Sequence, residues 1–258
     1  MSAKRERGLL NFKLPATIAA SLDDTHQMYH FYIVNTTQRP VERALEQQIT
    51  RRFTDMQSVQ DLPYLPYWVE KRVSSGTEAQ ALKLAEFLND RQESPLFKRI
   101  QMANDPIGGR NKIRQASLVT MLKDNVFSGT NPIAIRESDP DKVHKIMLNY
   151  FRAVDSLFVD PDKRDQTIAF KTSGLFFFLL VSKWIFTEMY AGARNFTEEQ
   201  ISTVIGSALE GMDDYYEIAD SGWWLTGHGA SSLNRANARL IAEEFFQGLR
   251  RSNDPTQN

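Results

Sequence analysis

One long apolar stretch, residues 174–190, most restricts what this chain can fold into. Apolar side chains occupy nearly every direction of its helical wheel, so a helix here has no polar face to offer to water. Its uninterrupted apolar run, 175–181, ends at Ser182 and Lys183. That run is far shorter than the roughly 20 residues that span a bilayer. The segment is therefore predicted to be the central helix of a soluble protein.

The composition of the chain agrees with that interpretation. Of its 258 residues, 41% are apolar and 24% are charged, which is ordinary for a soluble protein with a proper core. The net charge of −1 provides no overall attraction to DNA or to an anionic membrane, so DNA binding requires a local basic patch. The absence of cysteine excludes disulfides, thiolate metal sites and a cysteine nucleophile. Residues 1–7 lack the apolar core of a signal peptide, and we expect a cytoplasmic protein.

Helical periodicity dominates the rest of the chain. Apolar residues recur at i, i+3, i+4 and i+7 in several segments that follow capping signals, most clearly after Asp139-Pro140. Residues 128–140 are expected to form a loop. The predicted helices are 25–34, 41–53, 67–73, 77–89, 117–123, 142–158, 174–190, 201–212 and 233–250.

Two places favour strands. Residues 12–19 have Pro15 near the start of an apolar run, which is typical of an edge strand. Residues 98–103 and 111–116 flank the turn-forming segment 104–110, and this arrangement predicts a β-hairpin.

The predicted fold class is mainly α with a minor β component. No internal repeat or low-complexity tract divides the chain. We expect a single domain over 11–251, a disordered basic N-terminus at 1–10 and a disordered tail at 252–258.

A polar run between two predicted helices is the first candidate site. It contains Asn35, Thr37, Gln38 and Arg39, and Pro40 restrains the backbone that follows, so we expect a polar elbow between the helices. Such side chains can bind a nucleotide or a DNA phosphate beside a helix N-terminus. They can also simply cap the two helices, and the sequence leaves both interpretations open.

A cluster of cations on the predicted hairpin is the second candidate site. Arg110, Lys112 and Arg114 follow a Gly-Gly pair that lets the backbone approach a ligand closely. Cationic side chains on a two-stranded ribbon can neutralise DNA phosphates. The alternative is a solvated hairpin surface, in which Asp105 dilutes the positive charge.

No catalytic or metal site is predicted. His26 and His30 stand four residues apart, a spacing that suits a metal pair, but no third ligand is evident beyond Asp23. His144 is isolated on its helix. Neither a Ser-His-Asp triad nor a catalytic carboxylate pair emerges from the spacings, and no cofactor is expected.

One segment resembles a family motif. Phe31, followed by Asn35-Thr-Thr-Gln-Arg-Pro-Val41, is similar to the F-x-x-I/V-N-x-x-Q-x-P-V segment of DGQHR-domain proteins. Segments 94–100, 113–118 and 149–175 resemble other parts of that family in the same order. The family is distantly similar to the ParB-like fold, and it includes the B component of DNA phosphorothioation systems and a relative in deazaguanine DNA modification.

The resemblance implies an association with DNA. The motif Asp-Gly-Gln-His-Arg does not occur in the sequence, so the chain resembles the helical C-terminal part of such a protein and is not expected to be an enzyme by itself. The implied role is in a prokaryotic DNA-modification system or its regulation. The implied partners are DNA and either an N-terminal DGQHR half or other modification-system proteins. No association with a membrane is expected. The alternative is a non-catalytic helical interaction module that docks onto a separately encoded ParB-like half.

Overall fold

Most of the chain is described by the computed structural model. The described residues are 21–38, 42–55, 67–103, 105, 113–212, 217–227 and 229–253. The chain groups into two compact units, residues 1–40 and residues 41–258, and each is described by itself below.

Helices dominate the described residues. In chain order the elements are α1 (Asp24–Gln38), α2 (Arg43–Asp55), α3 (Tyr67–Ser75), α4 (Thr77–Asp90), β1 (Ile100–Gln101), β2 (Ile113–Arg114), α5 (Gln115–Asn125), α6 (Pro132–Arg136), α7 (Pro140–Phe158), α8 (Thr172–Ala191), α9 (Glu198–Glu210), α10 (Gly229–Ser232) and α11 (Arg235–Ser252). Short 3-10 turns lie at Pro161–Lys163 and Ser221–Trp224. The predicted fold class, mainly α with a minor β component, is confirmed.

The first unit contains α1. Its start is capped by the Asp23 carboxylate, which accepts hydrogen bonds from the His26 backbone amide at 2.8 Å and pairs with the His26 ring at 2.9 Å. The helix continues to Gln38, so the expectation that a polar elbow begins at Asn35 is wrong. Pro40 restricts its own backbone and that of the residue before it, which leaves Gln38 free to complete the helix.

The two short strands of the second unit pair in parallel, with Ile100 opposite Ile113. The predicted hairpin is therefore wrong. A hairpin consists of two antiparallel strands joined by a short turn. These parallel strands are separated by the eleven residues 102–112, and β2 continues directly into α5. The strand predicted at 12–19 lies outside the described residues.

α8 is the buried centre of the second unit, as its apolar wheel predicts. Side chains on several sides of this helix are buried, including those of Leu175, Phe178, Val181 and Ile185. Its length and composition would also allow it to cross a bilayer, but 56% of that stretch is buried within the fold. This is how the core helix of a soluble protein behaves.

The buried indole ring of Trp224 packs the turn Ser221–Trp224 against α8. Trp224 is fully buried and stacks on Phe178, with ring centroids 4.8 Å apart, and meets Phe158 of α7 edge-on at 5.4 Å. Its indole N–H donates to the Ile218 carbonyl at 2.8 Å, which satisfies the only polar atom of the ring. The turn that carries Trp224 is thereby fixed against both α7 and α8.

Part of the loop expected at 128–140 is helical. Asn131 is fully buried, and its Oδ1 accepts from the Ile133 amide at 3.1 Å, which caps α6. Its Nδ2 donates to the Asn125 carbonyl at 3.0 Å and to Ser182 Oγ at 3.1 Å. One amide side chain therefore ties the end of α5, the start of α6 and the central helix α8 together.

α9 and α11 approach each other at glycines. A Cβ placed on Gly248 would lie 2.3 Å from the backbone oxygen of Ala208, and one on Gly211 would lie 2.2 Å from that of Gly248. Gly206, also on α9, has nothing within 4 Å of the equivalent position. Gly248 and Gly211 thus permit the two helices to pack closely, whereas no neighbouring element packs against Gly206.

These glycines make a matched pair of tests. Gly206→Ala should raise the free energy of unfolding by about 0.5–1 kcal/mol, because alanine favours the helix and no neighbour obstructs it. Gly248→Ala should lower it by about 1–3 kcal/mol, because the added methyl pushes α9 and α11 apart. Denaturant unfolding of both variants measures this difference. Effects of the same sign at both positions would contradict the close packing.

Candidate functional site

A cleft of about 780 Å³ lies between α4, α6 and the start of α7 in the second unit. Sites for small molecules usually have volumes of this order. Its apolar lining consists of Ala79, Phe127, Ala134, Ile135, Pro140 and Val143. We refer to it as the α4–α6–α7 cleft.

Glu137, which follows α6, is held firmly at the edge of this cleft. Its side chain is only 8% exposed, and its Oε2 pairs with Lys142 Nζ at 2.8 Å. Its Oε1 accepts a hydrogen bond from the Tyr190 hydroxyl of α8 at 2.7 Å. Burial alone would raise the pKa of Glu137, but the hydrogen bonds from Lys142 and Tyr190 outweigh it and lower the pKa. The Glu137 carboxylate is therefore ionised near neutral pH, and both of its oxygens already have partners in the protein.

Two cations line the cleft, and they differ in their partners. Lys83 Nζ pairs with Asp55 at 2.6 Å. Arg136 is exposed, and its guanidinium lies 5.0 Å from the centroid of the Tyr190 ring. Within the described residues no carboxylate pairs with Arg136, so its donors are available to a ligand.

His144 contributes a neutral imidazole to the lining. The ring is half-buried and stacks on Phe87, with centroids 4.8 Å apart. Burial lowers the pKa of His144, although Asp141 and Asp139 act in the opposite direction. At neutral pH the ring therefore has one donor and one acceptor nitrogen. No hydrogen bond joins either nitrogen to another described residue.

An ion-pair cluster fixes the start of α4 beside the cleft. Arg72 of α3 donates from Nε and Nη2 to the two carboxylate oxygens of Glu78, both at 2.8 Å, and from Nη1 to Glu46 of α2. Burial lowers the pKa of Arg72, but its bonds to the two glutamates outweigh this and raise it. Gly76 joins α3 to α4 with a φ of 63°, which glycine adopts without strain.

The site residues predicted from the sequence lie in different parts of the chain. Asn35, Thr37 and Gln38 belong to the last turn of α1, in the first unit, whereas Arg114 ends β2 in the second unit. Arg39, Arg110 and Lys112 lie outside the described residues. Arg114 is exposed, and none of the described acidic residues pairs with it.

A buried glutamine positions Arg114 at the surface. Gln115 follows it, and its Oε1 accepts from the Ala103 amide at 3.0 Å while its Nε2 donates to the Ala44 carbonyl at 3.1 Å. Across the two-stranded ladder, the Arg99 carbonyl accepts from the Ile113 amide at 2.9 Å. Arg99 and Arg114 are thus both attached to this short parallel ladder.

The cleft residues Lys83, Arg136 and His144 were not found from the sequence. They come from three different helices, and no short motif joins them. One local signal exists, because Asn131 and Asp139 each precede a proline and thus mark two helix starts close together. Among the described residues, no group of three His, Asp or Glu could hold a metal ion.

Comparison with known proteins adds no relative to this description. No family model, no curated protein and no solved structure matches the chain.

Removing one hydroxyl tests the environment of Glu137. Tyr190→Phe should cost about 1.5–3 kcal/mol of unfolding free energy near neutral pH, because it deletes a hydrogen bond to an ionised acceptor. The pKa of Glu137 is lowered in the folded state, so its contribution is present above the ordinary value of 4.5 and is lost as the pH falls through the folded value. The cost of Tyr190→Phe should therefore shrink below pH 4.5.

Tyr150→Phe is the matched control, because the Tyr150 hydroxyl donates to the neutral Phe178 carbonyl at 2.6 Å. Its cost should not change over the same acidic range. Denaturant unfolding as a function of pH measures both variants. A cost of Tyr190→Phe that stays constant through this range would contradict the ionised pair.

Proposed function

We propose that this chain associates with DNA by contacting the phosphate backbone through the segment 98–114. Arg110, Lys112 and Arg114 supply the principal contacts, with Asn35, Thr37, Gln38 and Arg39 as further candidates. The proposed setting is a DNA-modification system of the phosphorothioation type, or its regulation, in a prokaryotic cytoplasm. The resemblance of the chain to DGQHR-domain, ParB-like proteins supports that setting.

The density of positive charge in the segment 98–114 is the observation that carries this proposal. The segment contains five cations, Lys98, Arg99, Arg110, Lys112 and Arg114, and its one acidic residue is Asp105, whereas the whole chain has a net charge of −1. A cluster of this kind creates a local positive potential that a polyanion can neutralise.

The local structure adds two supporting features. Arg114 is exposed and immediately precedes α5, whose first turn has no side-chain cap, so the backbone N–H groups and the positive end of the helix dipole add to the positive potential of this segment. Lys98 pairs with Asp90 at 3.1 Å and Arg99 with Asp165 at 3.6 Å, in both cases near the surface. Such pairs contribute about 0–1 kcal/mol, so a phosphate can displace the carboxylates at little cost.

A second candidate function is docking onto a separately encoded ParB-like half. It is favoured by Phe31 and Val34 of α1, which lie about one turn apart and are 52% and 49% exposed. Apolar side chains exposed together on one helix are typical of protein-binding surfaces. A DNA titration separates the two candidates, because a docking module alone leaves the DNA unbound.

The DNA proposal predicts a charge-specific effect of Arg114. A labelled duplex titrated at several salt concentrations should bind with an affinity that falls steeply as salt increases, because phosphate neutralisation releases counterions. Arg114→Gln should weaken binding at every salt concentration and reduce the slope of log K against log salt by about 1.

Lys145→Gln provides the control, because it removes an equivalent exposed positive charge from α7, outside the segment. It should leave the slope close to that of the wild type. The proposal is contradicted if the chain shows no salt-sensitive binding, or if the two substitutions have equal effects.

A further inference from the structure

We propose that the α4–α6–α7 cleft binds a small aromatic monocarboxylate. The carboxylate lies on Arg136, and the ring lies between the apolar walls of the cleft. This ligand site is separate from the segment 98–114 and does not depend on the proposed association with DNA.

The charges around the cleft indicate one negative group on the ligand. Glu137 is neutralised by Lys142, and Lys83 is paired with Asp55, while His144 is uncharged near neutral pH. Arg136 remains as the cation without an acidic partner among the described residues. A planar guanidinium with parallel N–H donors matches the geometry of a carboxylate. A dianion would leave one charge without a cationic partner, which disfavours phosphate esters.

The walls of the cleft favour a flat apolar body for the ligand. Phe127 and Val143 line it, and Ile135 of α6 is 67% exposed beside them. An exposed isoleucine at a cleft loses contact with water when a ring covers it, and this favours binding. A single or fused aromatic ring offers a flat apolar surface to these side chains, and a carboxylate on that ring pairs with the neighbouring Arg136.

Two neutral polar groups provide the means to orient the ring. His144 offers one donor and one acceptor, and the Gln80 side-chain amide offers both as well. Neither side chain hydrogen bonds to another described residue. A ring N–H or hydroxyl is the substituent that these groups can pair with, and such pairing distinguishes heteroaromatic or phenolic acids from purely hydrocarbon ones.

The wall that carries Arg136 is held in place before any ligand arrives. Asn131 fixes the start of α6 to Ser182, and Glu137 fixes its end to Tyr190. Both anchors lie on α8, the central helix. A ligand therefore does not have to order this wall on binding, which lowers the entropic cost of association.

The experiment compares indole-3-carboxylate with indole-3-carboxamide, which has the same ring and no charge. Isothermal titration of the full chain should give saturable one-site binding of the carboxylate at millimolar concentration or below. The carboxamide should bind at least about tenfold more weakly, because it cannot pair with the guanidinium. Arg136→Gln should weaken the carboxylate about tenfold and leave the carboxamide nearly unaffected.

Two further variants complete the test. Arg239→Gln removes an exposed charge on α11 and should change neither affinity. Ala134→Trp fills the cleft and should abolish binding of both indoles while the circular dichroism spectrum is retained. Arg136 is at the surface, so Arg136→Gln tests the proposal even where Ala134→Trp does not fold. The proposal is overturned if the carboxylate does not bind, if acid and amide bind equally, or if Arg136→Gln leaves the carboxylate affinity unchanged.

Discussion

The stacking of Trp224 on Phe178 is the contact on which the second unit depends. The indole meets α7 and α8 at once, and the backbone around it is fixed because the Ile168 amide donates to the Trp224 carbonyl at 2.7 Å. Burying an indole of this size contributes a large apolar area, and its one N–H is satisfied by Ile218. The segments that carry Ile168 and Trp224, which lie before and after α8 in the chain, are thereby held against the central helix.

The α4–α6–α7 cleft depends on α8 through two polar contacts. α6 has five residues, too few to form a stable helix without tertiary support. The amide of Asn131 and the hydroxyl of Tyr190 connect its two ends to α8. These contacts hold the short helix α6 against the buried helix α8, and they fix the position of Arg136 and Ile135 in the wall of the cleft.

The sequence predicts the parts of this fold that local chemistry decides. The apolar wheel of α8 and the Asp139-Pro140 start of α7 are visible without a structure, because each depends on neighbouring residues alone. The pairing of Ile100 with Ile113 was predicted as a hairpin, since turn residues separate the two segments, and only tertiary structure makes the strands parallel. The cleft cannot be predicted from local patterns for the same reason, because Lys83 and Arg136 line one cleft only after α4, α6 and α7 have packed together.

The anchoring of α6 to α8 can be measured directly by hydrogen exchange of the α6 backbone. The Ala134 amide donates to the Asn131 carbonyl at 3.1 Å, and the Glu137 amide donates to the Ile133 carbonyl at 3.0 Å. If α6 is a preformed wall, both amides exchange far more slowly than those of an unstructured peptide, at rates that approach those of the α8 amides. Exchange of both amides at unstructured rates, while α8 stays protected, would show that the wall is not fixed and would contradict the account.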